Sequence, residues 1–408
     1  MKKIIPLLLI LFGVGIAWGQ RCLSETILKE KMENDPEVAA RRIAIEANRQ
    51  IPTLDSEITS REVVTIQVVV HVVYFLPIEN ISDAQIQSQI DVLNEDFRLQ
   101  NANANIVTLP EFASKMADME IEFQLADTDP DGQPTNGITR THTLIPNIAL
   151  KLLGNLRLIC YTELGGQDAW CPDRYLNIWV GKFPVGFAGD TSFPGQDEPE
   201  EDGVRIDPYH FGRTGIALAP FNLGRTLTHE IGHYFDLQHT WGNCITDDGI
   251  EDTPWQKSPY SGCPSGWNYY SCDSRDMYVN YMDYTDDACM AMFTLEQKQR
   301  LMATLNGPRS GLLTPTNCGT VSTVEAENWF KGSLFPNPTN DQLFVELPFR
   351  NDSTYELEFF DMQGKHLGEK FNLDSGIHEL DITMLGSGVY FVKITQGKHY
   401  MYKKVVVQ

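Results

Sequence analysis

The chain has 408 residues, room for a full enzyme domain plus appendages, and its 55 acidic against 32 basic residues leave a formal charge of -23. Phosphate binding needs clustered Lys and Arg, so this balance excludes nucleic acid as a partner class and suits cationic peptides instead. In chain order, MKKIIPLLLILFGVGIAWGQ joins Lys2 and Lys3 to a short apolar run and the small residues Ala17 and Gly19, which predicts a cleaved export signal over 1–19. That run is too short for an ordinary membrane span, and no other segment is long and apolar enough, so the mature protein is expected to be exported without a span. Eight cysteines in an exported chain point to disulfides more than to redox motifs.

Residues 20–60 are charged and helix-prone (KEKMENDPEVAARRIAIEANRQ) with few core-quality aromatics, which suits an exposed pro-segment. At Val63 the texture changes: VVTIQVVVHVVYF is a β-branched run that reads as a buried central strand. Ser82 and Gln85 form a capping box, and Ile86, Ile90, Leu93 and Phe97 recur at helical spacing, predicting an amphipathic helix over 82–99. Strands follow at IEFQLA from 121 and YLNIWV from 175, then a helix over about 222–236. Helical texture ends near Leu305, and Gly307, Pro308, Gly311, Pro315 and Gly319 punctuate the next stretch. LFVEL, YELEFFDM, HELDITM and VYFVKI then alternate between turn residues, predicting a small all-β sandwich over 333–408. The fold class is therefore a mixed α/β (α+β) proteinase domain over 61–315, a linker over 316–332 and the β-sandwich.

The chemistry concentrates in His229-Glu230-Ile231-Gly232-His233, followed by His239. Residues i and i+4 share a helix face, so His229 and His233 present two imidazoles to one metal while Glu230 reaches a water bound to it. His239 lies off the helical repeat and completes three-histidine coordination only if the chain turns sharply near Asp236. Zinc accounts for each residue type: neutral imidazoles bind it, a fourth position stays open for water, and Glu230 takes the proton of that water as general base. The expected reaction is peptide-bond hydrolysis without a covalent intermediate. A gluzincin arrangement, with Glu251 as third ligand, is the competing enzyme reading. A secreted adhesin with a structural zinc is the competing non-enzyme reading, and there Glu230 would be dispensable.

These residues resemble the pappalysin family of metzincin proteases over roughly 61–305, through HEIGHYFDLQHTWG, the DDGIEDTP loop from Asp247, GCP at 262 and NYMDYTDDACMAMFT from Asn280. The resemblance implies a metzincin-type catalytic domain in which His229, His233 and His239 hold zinc, Glu230 is the base, Met282 forms the methionine turn and Tyr284 assists near the metal. Asp287 matches an acidic position that selects Arg or Lys after the scissile bond, a role suited to bidentate guanidinium contact. Asp247, Asp248, Glu251, Asp252 and Thr253 resemble a Ca²⁺ loop, since hard oxygen ligands close in sequence suit that ion. By the same resemblance Cys244 is expected to pair with Cys272, and Cys263 with Cys289. One departure stands out: metzincins usually carry Gly where this chain has Asp236. Asp tolerates the left-handed turn at a cost of about 1 kcal/mol.

Sequence proximity alone suggests a local Cys160–Cys171 bridge. Cys22 has two readings: the family resemblance implies a thiolate that plugs the fourth zinc position in a zymogen, and cysteine pairing offers a disulfide to Cys318. Arg61 after Ser60 marks where a protease that cuts before Arg could release itself. FPNPTNDQL at 335, GVYFVKI at 388 and the closing KKVVVQ resemble type IX secretion sorting domains. They imply export through periplasm and outer membrane, with the type IX machinery as a partner and a secreted or cell-surface product.

Overall fold

The computed structural model describes residues 22–49, 63–150, 152–153, 156–245, 248–313, 318, 332–348, 354–397 and 399–408. The export signal, the Ser60–Arg61 junction, Asp247 and most of the 316–332 linker lie outside them.

Two helices come first, α1 (Ser24–Asn34) and α2 (Pro36–Asn48), joined at Asp35, whose carboxylate accepts from Glu37 N and Val38 N and so caps α2. The strand β1 (Val64–Tyr74) is the sheet's centre, buried from Val68 through Val72 on both faces, as its largely β-branched run, broken there by His71, implies. α3 (Asp83–Phe97) starts at Ser82, whose Oγ accepts from Gln85 N at 3.2 Å, and buries Ile86, Ile90, Leu93 and Phe97. Each of those side chains is worth roughly 1.5–3 kcal/mol of burial.

β2 (Ile121–Leu125) and β3 (Ile138–His142) both run parallel to β1, one beside each half of it. On β1's other side come β4 (Leu176–Gly181), β5 (Gly189–Thr191) and β6 (Val204–Ile206), in the spatial order β2-β1-β4-β6-β5. Only β5 runs antiparallel in this sheet, and it forms the edge. Below the sheet, α4 (Arg225–Tyr234) packs Leu227 and Ile231 into the same core as β1 and α3, and α5 (Leu295–Asn306) closes it with Leu301 and Leu305.

The C-terminal part folds as the expected sandwich. A three-stranded sheet (Ser333–Phe335, Gln342–Leu347, Gly376–Asp381) faces a four-stranded one (Tyr355–Phe360, His366–Leu373, Gly388–Gln396, His399–Val407), all pairs antiparallel, around Leu343, Val345, Leu357, Val392 and Ile394.

The cysteines depart from the sequence reading in one respect. Cys244–Cys272 and Cys263–Cys289 are bonded as expected, but Cys171 pairs with Cys318, 147 residues away, rather than with Cys160. Cys160 is instead a free thiol buried in an apolar cluster beside Ile159 and Trp179. Cys22 is also free, which removes its disulfide to Cys318.

Candidate active site

α4 carries the metal motif. Its first turn is capped from a distance: the Asp287 carboxylate accepts from Leu223 N at 2.8 Å and Arg225 N at 3.2 Å. A negative charge at a helix N-terminus is favourable. One turn on, Gly232 has no room for a side chain, because a Cβ there would lie 2.4 Å from Met282 Sδ. The small residue in HEIGH and the methionine beneath it are thus one packing unit. After Tyr234 the helix stops, and Asp236 takes φ +74°, turning the chain so that His239 returns to the helix face.

The three imidazoles converge. His233 Nε2 lies 3.1 Å from His229 Nε2 and 3.2 Å from His239 Nε2, all three rings buried. His229 Nδ1 donates to Tyr281 O and His233 Nδ1 to Leu237 O, each at 2.7 Å. Those bonds place the protons on Nδ1, leaving two lone-pair nitrogens face to face, an arrangement that a shared cation relieves. Burial, then the neighbouring His239, pushes His233 down to about 3, so the ring is neutral near pH 7. A buried, three-nitrogen set fits zinc. Glu251, the gluzincin candidate, is exposed and outside the group of possible metal ligands, which is Cys22, His229, His233 and His239 among the described residues.

Glu230 is fully buried beside them. Ser24 Oγ donates to its Oε2 at 2.8 Å and Cys22 Sγ approaches the same oxygen at 3.5 Å. Burial pushes its carboxyl up to about 8, with Asp190 adding while Ser24, Cys22 and Arg205 oppose. Tyr284 Oη donates to Cys22 O at 3.2 Å, and its ring packs against His229 and His239. Residues 22–24 therefore lie across the site, with Cys22 bridging Gly189 on the free side of β5 and Leu23 N donating to Gly189 O.

Of the calcium-loop residues, Asp248 is buried and its carboxylate accepts from Thr253 Oγ1 at 2.8 and 2.9 Å. Asp252 accepts from Thr294 Oγ1 and Glu296 N, fixing the start of α5. The structure thus gives Asp248, Asp252 and Thr253 structural bonds and leaves Glu251 at the surface.

Several site residues escaped the sequence. Ser24 and Glu25 touch Glu230 and His239 from α1. Arg42 on α2 and Arg49, the residue just after that helix ends, both form ion pairs with Asp236, Arg42 Nη2 at 2.8 Å from Oδ1. Beneath β5 lies a charge cluster of Arg157, Asp190, Asp197 and Arg205, which Lys31 joins from α1. The seven-residue spacing of the two arginines was the one available signal.

Two family models match the chain: Pregnancy-associated plasma protein-A over residues 163–306 and the secretion system C-terminal sorting domain over 333–408. An extracellular metalloprotease of Colletotrichum graminicola is 31% identical over 240 residues, covering 56% of this chain and 71% of that protein. The chain belongs to the pappalysin family of metalloproteases. A second extracellular metalloprotease, from Verticillium alfalfae, is 42% identical over 147 residues, 34% of this chain and half the length of that protein. Among solved structures, a Tannerella forsythia promirolysin mutant is similar at TM-score 0.64 and 39% identity, covering 72% of this chain and 97% of that one. Mature mirolysin from the same organism, solved with a cleaved peptide, is similar at TM-score 0.58 and 44% identity, covering 62% and 96%. This pappalysin is accordingly a secreted or cell-surface zinc metalloendopeptidase with a metzincin-like fold, and the adhesin reading falls away. No helix among the described residues is long and apolar enough to cross a membrane.

Proposed function

We propose that this pappalysin is made as a zymogen that hydrolyses peptide bonds before Arg or Lys once residues 20–60 have been removed. The observation that carries the reading is the Cys22, His229, His233 and His239 group, whose ligand atoms all lie within 4.8 Å of one another. His229, His233 and His239 would hold zinc, and Cys22 would take the fourth position until the pro-segment leaves. Zinc held there supplies Lewis acidity, lowering the pKa of water and polarising the scissile carbonyl. Glu230, freed from Ser24, accepts the proton of the attacking water and hands it to the leaving amine. Tyr284 Oη, now bonded to Cys22 O, would instead donate to the oxygen of the scissile carbonyl.

Asp287 is the proposed reader of the basic residue, although its bonds to Leu223 N and Arg225 N give it a share in holding α4. The Asp247, Asp248, Glu251, Asp252 and Thr253 loop is proposed to take Ca²⁺, and Ser60–Arg61 to be the maturation site. The domain division follows the same reading: catalytic residues 61–315 and a sorting unit over 333–408, recognised by the type IX machinery and removed afterwards.

Cleavage-site profiling of a peptide library tests this most directly. Activated wild type should cut before Arg and Lys and the Glu230→Ala variant should be inert. The Asp287→Asn variant keeps the acceptor for the two N–H groups and should cut with the basic preference relaxed at least tenfold. Unchanged preference in that variant would remove Asp287 from specificity, and a Cys22→Ala precursor that stays silent would remove the thiol plug.

A further inference from the structure

The outer partners of the three imidazoles are unequal. His229 and His233 fix their Nδ1 protons on backbone carbonyls of the catalytic part, Tyr281 O and Leu237 O. His239 finds its oxygen in α1: Glu25 Oε2 lies 3.0 Å from His239 Nδ1, and Glu25 Oε1 accepts from the His239 backbone N–H at 2.6 Å. One carboxylate thus accepts the main-chain N–H of the third ligand and lies at ion-pair distance from its ring nitrogen, off the line of a hydrogen bond. The remaining faces of that ring are aromatic, with Trp241 stacked at 4.6 Å and 15° and Tyr284 edge-on at 5.0 Å. Neither presents a carbonyl or carboxylate to Nδ1.

The loop that carries His239 is held from the same segment at its other end. Arg42 and Arg49 pair with the Asp236 carboxylate, and Arg42 Nη1 also donates to Pro194 O at 2.8 Å. The catalytic part contributes Arg300, whose Nε donates to Asp236 O at 2.8 Å. Loop 236–239 is therefore clamped at both ends by residues 25, 42 and 49.

We propose that Glu25 is a positioning residue for the metal: it orients His239 and raises the basicity of its Nε2, so that the precursor holds zinc more tightly than the mature enzyme for a reason separate from Cys22. A carboxylate behind a ligating histidine fixes the tautomer and strengthens donation, and losing such a partner typically weakens metal binding by about 10–100-fold. Removal of the pro-segment then discards this partner together with the thiol. Metal is best acquired before activation, while the segment is in place. The proposal rests on the reading of His239 as zinc ligand and of residues 20–60 as a removable segment.

The test is zinc affinity, measured by competition with a chromophoric chelator. It uses the full-length precursor carrying Cys22→Ala and Glu230→Ala, so that neither thiolate ligation nor self-cleavage contributes. Adding Glu25→Ala should raise the zinc dissociation constant at least tenfold. Glu25→Gln keeps an acceptor without the charge and should fall between the two. Thermal midpoints of the metal-free Glu25→Ala and parent proteins should differ by no more than the loss of one main-chain hydrogen bond, whereas the zinc-bound pair should differ further by the change in affinity, which a merely structural role would not produce. A change below threefold in Glu25→Ala would overturn the proposal. His239→Ala in the same background separates the two readings: if it still binds zinc like its parent, the ligand assignment fails; if it loses zinc while Glu25→Ala does not, only the role of Glu25 fails.

Discussion

Gly232 shows how a single residue links fold to site. Replacing glycine by alanine inside a helix ordinarily gains about 0.5–1 kcal/mol, yet here the new Cβ would sit 2.4 Å from Met282 Sδ and 3.2 Å from its Cε. Overpacking a dense core costs about 1–3 kcal/mol, and Met282 is fully buried against Phe293 in the same cluster, so the clash outweighs the helix gain. Gly232→Ala should therefore lower the denaturant midpoint, where most exposed helix glycines would raise it. Asp96 offers a pH-dependent counterpart. It is buried under α4, bonded to Thr228 Oγ1 at 2.7 Å and Tyr281 Oη at 2.9 Å, and burial pushes its carboxyl up to about 6 despite Arg225. The folded state then binds the proton more tightly than the unfolded chain, so this group's contribution is complete below about pH 4 and is lost as pH rises through 6. Asp96→Asn cannot ionise. The variant should gain on wild type by up to about 3 kcal/mol between pH 4 and pH 7 in paired unfolding measurements, and a flat difference would contradict the assignment.

Among the elements, α1 and α2 behave as an inserted clamp rather than as part of the core. Their docking is largely polar: Lys31 on Asp197, Arg41 on Glu198, Arg42 and Arg49 on Asp236. The Asp236 pairs are the ones both buried and shared, and removing the two arginines leaves the carboxylate with the more distant Arg300 Nη2 at 3.7 Å, a loss of up to about 3–5 kcal/mol. Because Arg42 and Arg49 lie in the segment proposed to be removed on maturation, Arg42→Gln with Arg49→Gln should leave the mature enzyme untouched while the precursor activates at least tenfold faster. Equal activation half-lives for variant and wild-type precursors would show that Cys22 alone maintains latency. This clamp marks the limit of what the sequence revealed. β1, α3, α4 and four of the sandwich strands were legible because burial imposes periodic or continuous apolar patterns, and the His229–His239 cluster because metal geometry fixes its spacing. The edge strand Gly189–Thr191 has three residues and no β-branched run, so nothing marked it. Cys171–Cys318 joins residues that only tertiary topology brings together. Glu25 meets His239, and Asp236 meets Arg42 and Arg49, across more than 180 residues, and pairing at that range leaves no local trace.

At the scale of the whole molecule, the β-sandwich is more than a passenger on the protease. Side chains alternate across a strand, and in Gly388–Gln396 one set, Val392 and Ile394, fills the sandwich core while the other face presents Val389 and Phe391. Phe391 and, on the last strand, Tyr402 join a cluster with Ile145, Leu158, Ile159 and Phe183 of the catalytic part. Lys403 Nζ adds contacts of 2.7 and 2.8 Å to the Glu163 carboxylate, though an exposed pair of this kind adds little. Apolar burial therefore holds the two parts together. Truncating a fully buried Phe to Ala costs about 3–5 kcal/mol, and for Phe391 that cost falls on the contact between parts rather than on the sandwich core. In calorimetry the full-length wild type should unfold with the two parts coupled. The Phe391→Ala chain should show two transitions, the catalytic one shifted down towards that of a chain ending before residue 333. Lys403→Ala should change neither. If Phe391→Ala instead lowered a single shared transition, Phe391 would be stabilising the sandwich itself; if it left the trace unchanged, the cluster would contribute nothing to joining the parts.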